Sequence, residues 1–195
     1  MASWERTTSL TIDFPAGLTR IKPEKQLAQL SPRAPEELLA AADLVGDGRA
    51  AIVLDTNVYV RSAAGTLPPA AAALVDRGLL FHCTVCVSEL AVGVANSNPS
   101  HAAWRTLRNH YNALIATFPA TRLLTPDPQI WVEAGLIAGT LSRTQKLQRH
   151  QRKECLNDAL ILLTAAKFGL PVLTANRIEF DLIEQLAPHV GFIHF

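Results

Sequence analysis

Between residues 51 and 195 the chain carries only ten acidic side chains, so where they stand is informative. Asp55 follows directly on the apolar run Ile52-Val53-Leu54 and leads into Thr56-Asn57-Val58. Glu89 stands in Val87-Ser88-Glu89-Leu90, and Asp158 in Asn157-Asp158-Ala159-Leu160-Ile161. A last polar group, Thr174-Ala175-Asn176-Arg177-Ile178-Glu179, precedes Phe180. Carboxylates held together repel one another and take up protons unless a cation lies between them. Oxygen ligands with open positions suit Mg²⁺ or Mn²⁺, which retain waters and meet phosphate oxygens. Two such ions ~3.5–4 Å apart activate water and stabilise the leaving oxygen of a phosphodiester.

Each residue taken alone also has a purely structural reading. Asp55 with Thr56 and Asn57 would turn a strand into a helix. Glu89 would face the positive end of a helix as a first-turn acid, and Asp158 would cap one. Asn176 and Glu179 have the spacing of a capping box. The combination, in this order, is what singles them out.

The surrounding pattern alternates strand and helix. Short apolar runs at 50–54, 79–85, 122–124, 171–174 and 192–194 suit strands buried on both faces. Between them, Pro68-Pro69 opens an alanine helix that stops at Gly78, and Ser88-Glu89 opens a second. Asn98-Pro99 starts a third, with Trp104, Leu107, Tyr111, Leu114 and Phe118 on one face. Pro128 starts a fourth, with Ile130, Ala134, Ile137, Ala138 and Leu141 in register. Further helices are expected from Asp158 to Phe168 and from Arg177. This order predicts an α/β fold with a parallel central sheet flanked by helices, where ligands sit beyond the carboxyl ends of the strands. Residues 50–195 are expected to form this domain. Residues 1–49 read as an N-terminal arm, punctuated by Pro15, Pro23, Pro32 and Pro35, with one short helix from Pro35 to Val45.

These motifs resemble the PIN-domain ribonucleases, and among them the VapC-type toxins of toxin–antitoxin pairs. The resemblance rests on Ile-Val-Leu-Asp55-Thr-Asn-Val, Val-Ser-Glu89-Leu-Ala-Val-Gly93, Asn-Asp158-Ala-Leu-Ile with Ala165-Ala166, and Val-Leu-Thr174-Ala-Asn176-Arg-Ile-Glu179-Phe180, over about residues 50–195. It implies a Rossmann-like sheet, Mg²⁺ or Mn²⁺, and endonucleolytic RNA cleavage by metal-activated water. Asp55, Glu89 and Asp158 look like the core metal-binding acids, and Thr174 like a supporting hydroxyl. The family's fourth acid often ends a Thr-x-Asp motif, where this chain has Asn176. An amide brings no negative charge, and Glu179, before Phe180, could replace it. Asp181 is a poorer match. Three carboxylates would hold one metal tightly and a second only with substrate. The resemblance also implies a homodimer and a small antitoxin that inserts basic side chains near the acids.

Arg143, Lys146, Arg149, Arg152 and Lys153, with His150 among them, form a cationic stretch before Asp158, read either as an RNA-phosphate patch or as a solvated helix end. Cys83-Thr84-Val85-Cys86 has redox spacing, but in a stretch read as strand, so buried core thiols are expected of it, as of Cys155. A zinc site is disfavoured, because His82 would point to the opposite strand face from Cys83. Trp104, Tyr111 and Trp131 are read as core or dimer packing.

With 49% hydrophobic and 18% charged residues, the 195-residue chain has ample material for a core, and its net charge of +1 creates no global field for nucleic acid or membrane. The apolar runs are too short for a membrane span, and Glu5 and Arg6 interrupt any export signal, so a cytoplasmic protein is expected. The three cysteines fit a reducing compartment.

Two other functions compete. A haloacid-dehalogenase-like phosphatase would use Asp55, but Asn57 replaces its second aspartate, and Gly46-Asp47 precedes the core strands where a Gly-Asp pair should follow them. A catalytically weakened scaffold binding RNA or a partner would explain Asn176. A further reading has the arm supply Arg20 or Arg33 to mask the site in cis.

Overall fold

The architecture follows from how little polar surface the strands carry. In the computed structural model, which describes residues 12–44, 49–188 and 191–195, β1 (Ala51–Leu54) lies at the centre of a five-stranded parallel sheet. Ile52 and Val53 are wholly buried, as a strand covered on both faces requires. The strand order is β3 (Leu123–Leu124), β2 (Leu79–Cys83), β1, β4 (Val172–Thr174), β5 (Phe192–His194). Leu54 sits in register with His82 on one side and Leu173 on the other. The chain thus builds outward from β1 through β2 to β3, then returns to β1's other edge with β4. That reversal makes the crevice between the ends of β1 and β4 the topological switch point of the sheet.

Helices cover the sheet. They are α1 (Phe14–Ile21), α2 (Thr56–Ala63), α3 (Pro69–Arg77), α4 (Thr84–Asn96), α5 (Ala102–Ala116), α6 (Pro128–Thr144), α7 (Arg149–Lys167) and α8 (Arg177–Leu186). The five strand positions expected from the sequence all appear, within two residues at each boundary. Three helix starts differ. α5 begins at Ala102, with His101 at its N-cap, where Asn98-Pro99 was expected to start it. The chain enters α4 at Thr84, directly after β2, so Thr84–Val87 are helical where strand was expected, and Glu89 lies beyond the first turn. Similarly α7 begins at Arg149, so Asp158 stands mid-helix and caps nothing. Arg149, Arg152 and Lys153 of the cationic stretch therefore lie in the first turns of the helix that carries Asp158, whereas Arg143 is in the last turn of α6 and Lys146 lies between the two helices. The polarity of those first turns hid them from a search for apolar periodicity.

The arm also differs from expectation. Pro35–Glu37 and Ala41–Leu44 are single 3₁₀ turns, and no α-helix joins them. Between them the backbone extends: His194 donates its amide to the Leu39 carbonyl at 3.0 Å, and Ala40 bridges His194 in parallel. Pairing with the open edge of β5 overrides the local helix signal. The arm's α-helix is instead α1, where Pro15 occupies the first turn and Asp13 caps the Ala16 amide at 2.8 Å. There the proline starts a helix where it was read as a break. Gly17 faces α6 so closely that a Cβ on it would lie 3.3 Å from the Leu136 side chain. Val45, Gly46 and Asp47, the end of the expected helix and the phosphatase-type pair, lie outside the described residues, as do Glu5 and Arg6. Among the described residues, no helix is long and apolar enough to cross a membrane.

Candidate metal centre

Asp55 lies at the N-cap of α2, one residue past β1, and its side chain is almost wholly buried (2% exposed). Its carboxylate accepts from the Thr56 amide at 2.6 Å, from the Thr174 hydroxyl at 2.7 Å, and from the Asn57 amide. Thr174 ends β4, so this bond ties the two strands together across the switch point. Asn57 also donates to Thr174 at 3.1 Å and accepts from the Ala175 amide at 3.0 Å. It is a brace for Asp55, and an amide so engaged has no proton to give a leaving group, which removes the phosphatase-like reading's acid.

Glu89, half-buried on α4, accepts from the Thr56 hydroxyl and, at 2.8 Å, from Asn157 of α7. Asp158, the next residue on α7, is 5% exposed, and its buried Oδ2 has no hydrogen-bond partner. Asn176 is the N-cap residue of α8 but its side chain makes no capping bond, so the capping-box reading does not hold there. Its amide lies beside Asp158 and favours the charged form of that acid. Glu179 lies in the first turn of α8. Asp55, Glu89, Asp158, Asn176 and Glu179 all line one open cleft of about 530 Å³ at the carboxyl edge of the sheet.

The electrostatics follow from this crowding. Burial, reinforced by Glu89, pushes the Asp55 carboxyl up to about 6, despite the three donors that favour its ionised form. Burial first, and then the charges of Asp55, Glu89 and Glu179, raises Asp158 well above the usual carboxylate range. Two further side chains that the motifs did not point to line the cleft, Glu154 and Arg61. Glu154 lies one helical turn before Asp158, a spacing that would have revealed it once α7 was known to start so early. Five carboxylates therefore share a cleft lined by a single arginine. An unpartnered buried carboxylate oxygen amid acids that repel each other is what a hard divalent cation satisfies, so this donor set fits Mg²⁺ or Mn²⁺.

Cys86 was also missed. It lies in the first turn of α4, and its sulfur forms with one oxygen each of Asp55 and Glu89 a group whose atoms are all within 4.8 Å of one another. Cys83 and Cys86 do occupy a helix start, contrary to the sequence reading, yet both are buried free thiols, as is Cys155. His82 is a core residue, stacked on Phe118 with centroids 3.7 Å apart and bonded to the Tyr59 hydroxyl at 2.8 Å. Neither arm arginine reaches the acids: Arg20 pairs with Glu133 at 2.8 Å, and Arg33 with Asp181 at 2.5 Å and with Glu184. Asp181 is thus a buried structural acid.

All five cationic residues are exposed. Arg143 bonds the Pro23 carbonyl of the arm at 2.8 Å and Arg152 the Leu147 carbonyl at 3.2 Å. Lys153 lines a second cleft of about 560 Å³, formed with Val92, Trp131 and His150, that shares Glu89 and Glu154 with the acidic one. Trp131 is 52% exposed, so of the core or dimer packing expected for it the core alternative does not hold; Trp104 is partly buried and Tyr111 buried.

No family model and no curated protein matches the chain. Solved structures do. VapBC2 from Rickettsia felis, bound to a DNA fragment from its promoter, aligns with a TM-score of 0.52 at 15% identity, over 74% of this chain and 98% of that one. FitAcB from Neisseria gonorrhoeae aligns with the same score at 22% identity, over 72% and 96% of the two chains. The fold is PIN-like. A FitAB complex bound to an IR36 DNA fragment shares it, with a TM-score of 0.52 at 21% identity over 73% of this chain and 94% of that one. In this PIN-like fold the switch-point crevice holds the acidic cleft.

Proposed function

We propose that the protein is a divalent-metal-dependent endoribonuclease and the toxin component of a type II toxin–antitoxin pair. The observation that carries the nuclease reading is the unpartnered, buried Oδ2 of Asp158, an acid that lines one cleft at the switch point with Asp55 and Glu89. Asp55, Glu89, Asp158 and Glu179 would hold Mg²⁺ or Mn²⁺. When bound, that ion would lower the pKa of the attacking water and neutralise charge on the phosphate. The chain's own groups do the rest. Thr174 and Asn57 fix the Asp55 carboxylate, Thr56 and Asn157 fix Glu89, and the Asn176 amide steadies Asp158. Such bracing keeps the acids from relaxing apart, so the site is preorganised for a cation. Asn176 leaves the cluster one charge short of a Thr-x-Asp site, which fits one tightly held ion. The exposed Arg143, Lys146, Arg149, Arg152 and Lys153 would draw RNA phosphates toward the cleft.

The toxin assignment rests on the motif resemblance and on the likeness in fold to VapBC2 and FitAB, both solved bound to DNA. It brings with it a small antitoxin partner, a homodimer and a cytoplasmic setting. The test is cleavage of single-stranded RNA by the purified protein in Mg²⁺ or Mn²⁺. The reading predicts internal cuts, abolished by EDTA and reduced at least about 100-fold in Asp55→Asn. RNA retained intact under both metals would point to a binding scaffold.

A further inference from the structure

The second cleft runs directly off the acidic one, and its lining is neither a protein core nor an ordinary surface. Glu89 and Glu154 belong to both. From there α7 presents Asn157, Lys153 and His150 at three- and four-residue spacing, so one stripe of the helix runs from the acids to the cations. The cleft's lining also includes exposed apolar groups: Val92 of α4 and Trp131 of α6 are each 52% exposed. Next to Val92, Gly93 leaves open space, with nothing within 4 Å of where its Cβ would be.

An exposed indole and a lysine lining one cleft, beside a site for a phosphodiester, match the two halves of a nucleotide, a base that stacks and a phosphate that needs a cation. The volume of about 560 Å³ lies within the range of small-ligand sites. A second protein chain is a poor occupant, because the buried centre of a protein interface is depleted in charged groups, and here Glu89, Glu154 and Lys153 are all part of the lining. We propose that the cleft between α4, α6 and α7 is a nucleotide subsite for single-stranded RNA flanking the cleaved bond, with Trp131 stacking on a base and Lys153 on its phosphate. This rests on the ribonuclease reading and adds to it the side of the site from which the strand enters.

The test is binding of a fluorescein-labelled single-stranded oligoribonucleotide, followed by anisotropy in EDTA so that nothing is cut. Trp131→Ala weakens binding roughly 10-fold with no change in salt slope, whereas Trp131→Phe stays within about 3-fold. Lys153→Gln lowers the slope of log K against log salt by about 0.7. Gly93→Leu, which places a side chain in open space, occludes the cleft and matches Trp131→Ala. Affinities of Trp131→Ala and Gly93→Leu within 2-fold of wild type would overturn the subsite. So would a Trp131→Ala change in oligomeric state with RNA affinity intact, which would assign the cleft to a second copy of the chain. If the wild type binds RNA through Trp131 yet does not cut it in Mn²⁺, the nuclease reading fails and the subsite stands. If it cuts while Trp131→Ala binds normally, the reverse holds.

Discussion

Asp55 and Asp158 sit where burial and mutual repulsion favour the protonated acid, and this has a measurable cost. The folded-state value for Asp55 is about 6, above its ordinary value, so the proton binds the folded chain more tightly than the unfolded one. The associated stability is fully present below about pH 4 and is lost as pH rises through 6; Asp158, raised in the same direction, extends the loss to higher pH. In EDTA the melting temperature should therefore fall between pH 5 and pH 8, on the order of 5 °C for a loss of about 2 kcal/mol. Mn²⁺ should reverse the fall at pH 7.5. Scanning calorimetry with and without the metal checks both, and a flat metal-free profile would count against the clustering of charge. For the same reason Asp158→Asn, which removes a buried charge, should raise the melting temperature in EDTA while abolishing the stabilisation by Mn²⁺. Asn176→Asp should act the other way, tightening Mn²⁺ several-fold in a calorimetric titration by supplying another negative ligand.

At the scale of elements, legibility depended on apolar pattern. The five strands are runs such as Ile52-Val53-Leu54 and Val172-Leu173, buried on both faces, and nothing in their neighbourhood competes with that signal. The start of α7 was not legible, because Arg149–Lys153 carry no apolar periodicity and the helix is held there by its continuation into the core. The arm was misread for a different reason: Leu38–Ala40 are extended by pairing with β5, a contact more than 150 residues distant in sequence. What fixes the arm includes Arg33, whose amide and guanidinium serve the fully buried Asp181 at 2.8 and 2.5 Å. Arg33→Ala leaves that acid only neutral donors, the backbone amide at position 33 and Gln185 at 3.0 Å, and should destabilise the fold by about 2 kcal/mol. Urea unfolding measures this, and the Mn²⁺-induced rise in stability should survive, because Arg33 touches none of the cleft acids.

Across the whole molecule, a net charge of +1 gives no steering field, so any anion must be captured by local arrangement. The sheet order supplies it: reversing direction at β1 brings Asp55 from one crossover and Thr174 from another within 2.7 Å, and α4, α7 and α8 add Glu89, Asp158 and Glu179 around the same crevice. The acids were recognisable from their motifs, but Cys86, Glu154 and Arg61 were not, since only the folded geometry places a thiol, a pre-turn glutamate and a surface arginine beside them. Four stretches of chain spanning more than 100 residues thus converge on one charge-dense cleft. The most direct measurement is a Mn²⁺ titration followed by electron paramagnetic resonance, comparing the wild type with Asp55→Asn and Asp158→Asn separately. If these acids share one ion, the wild type binds Mn²⁺ and each single variant loses at least about 10-fold in affinity. Undiminished Mn²⁺ binding in either variant would contradict the account.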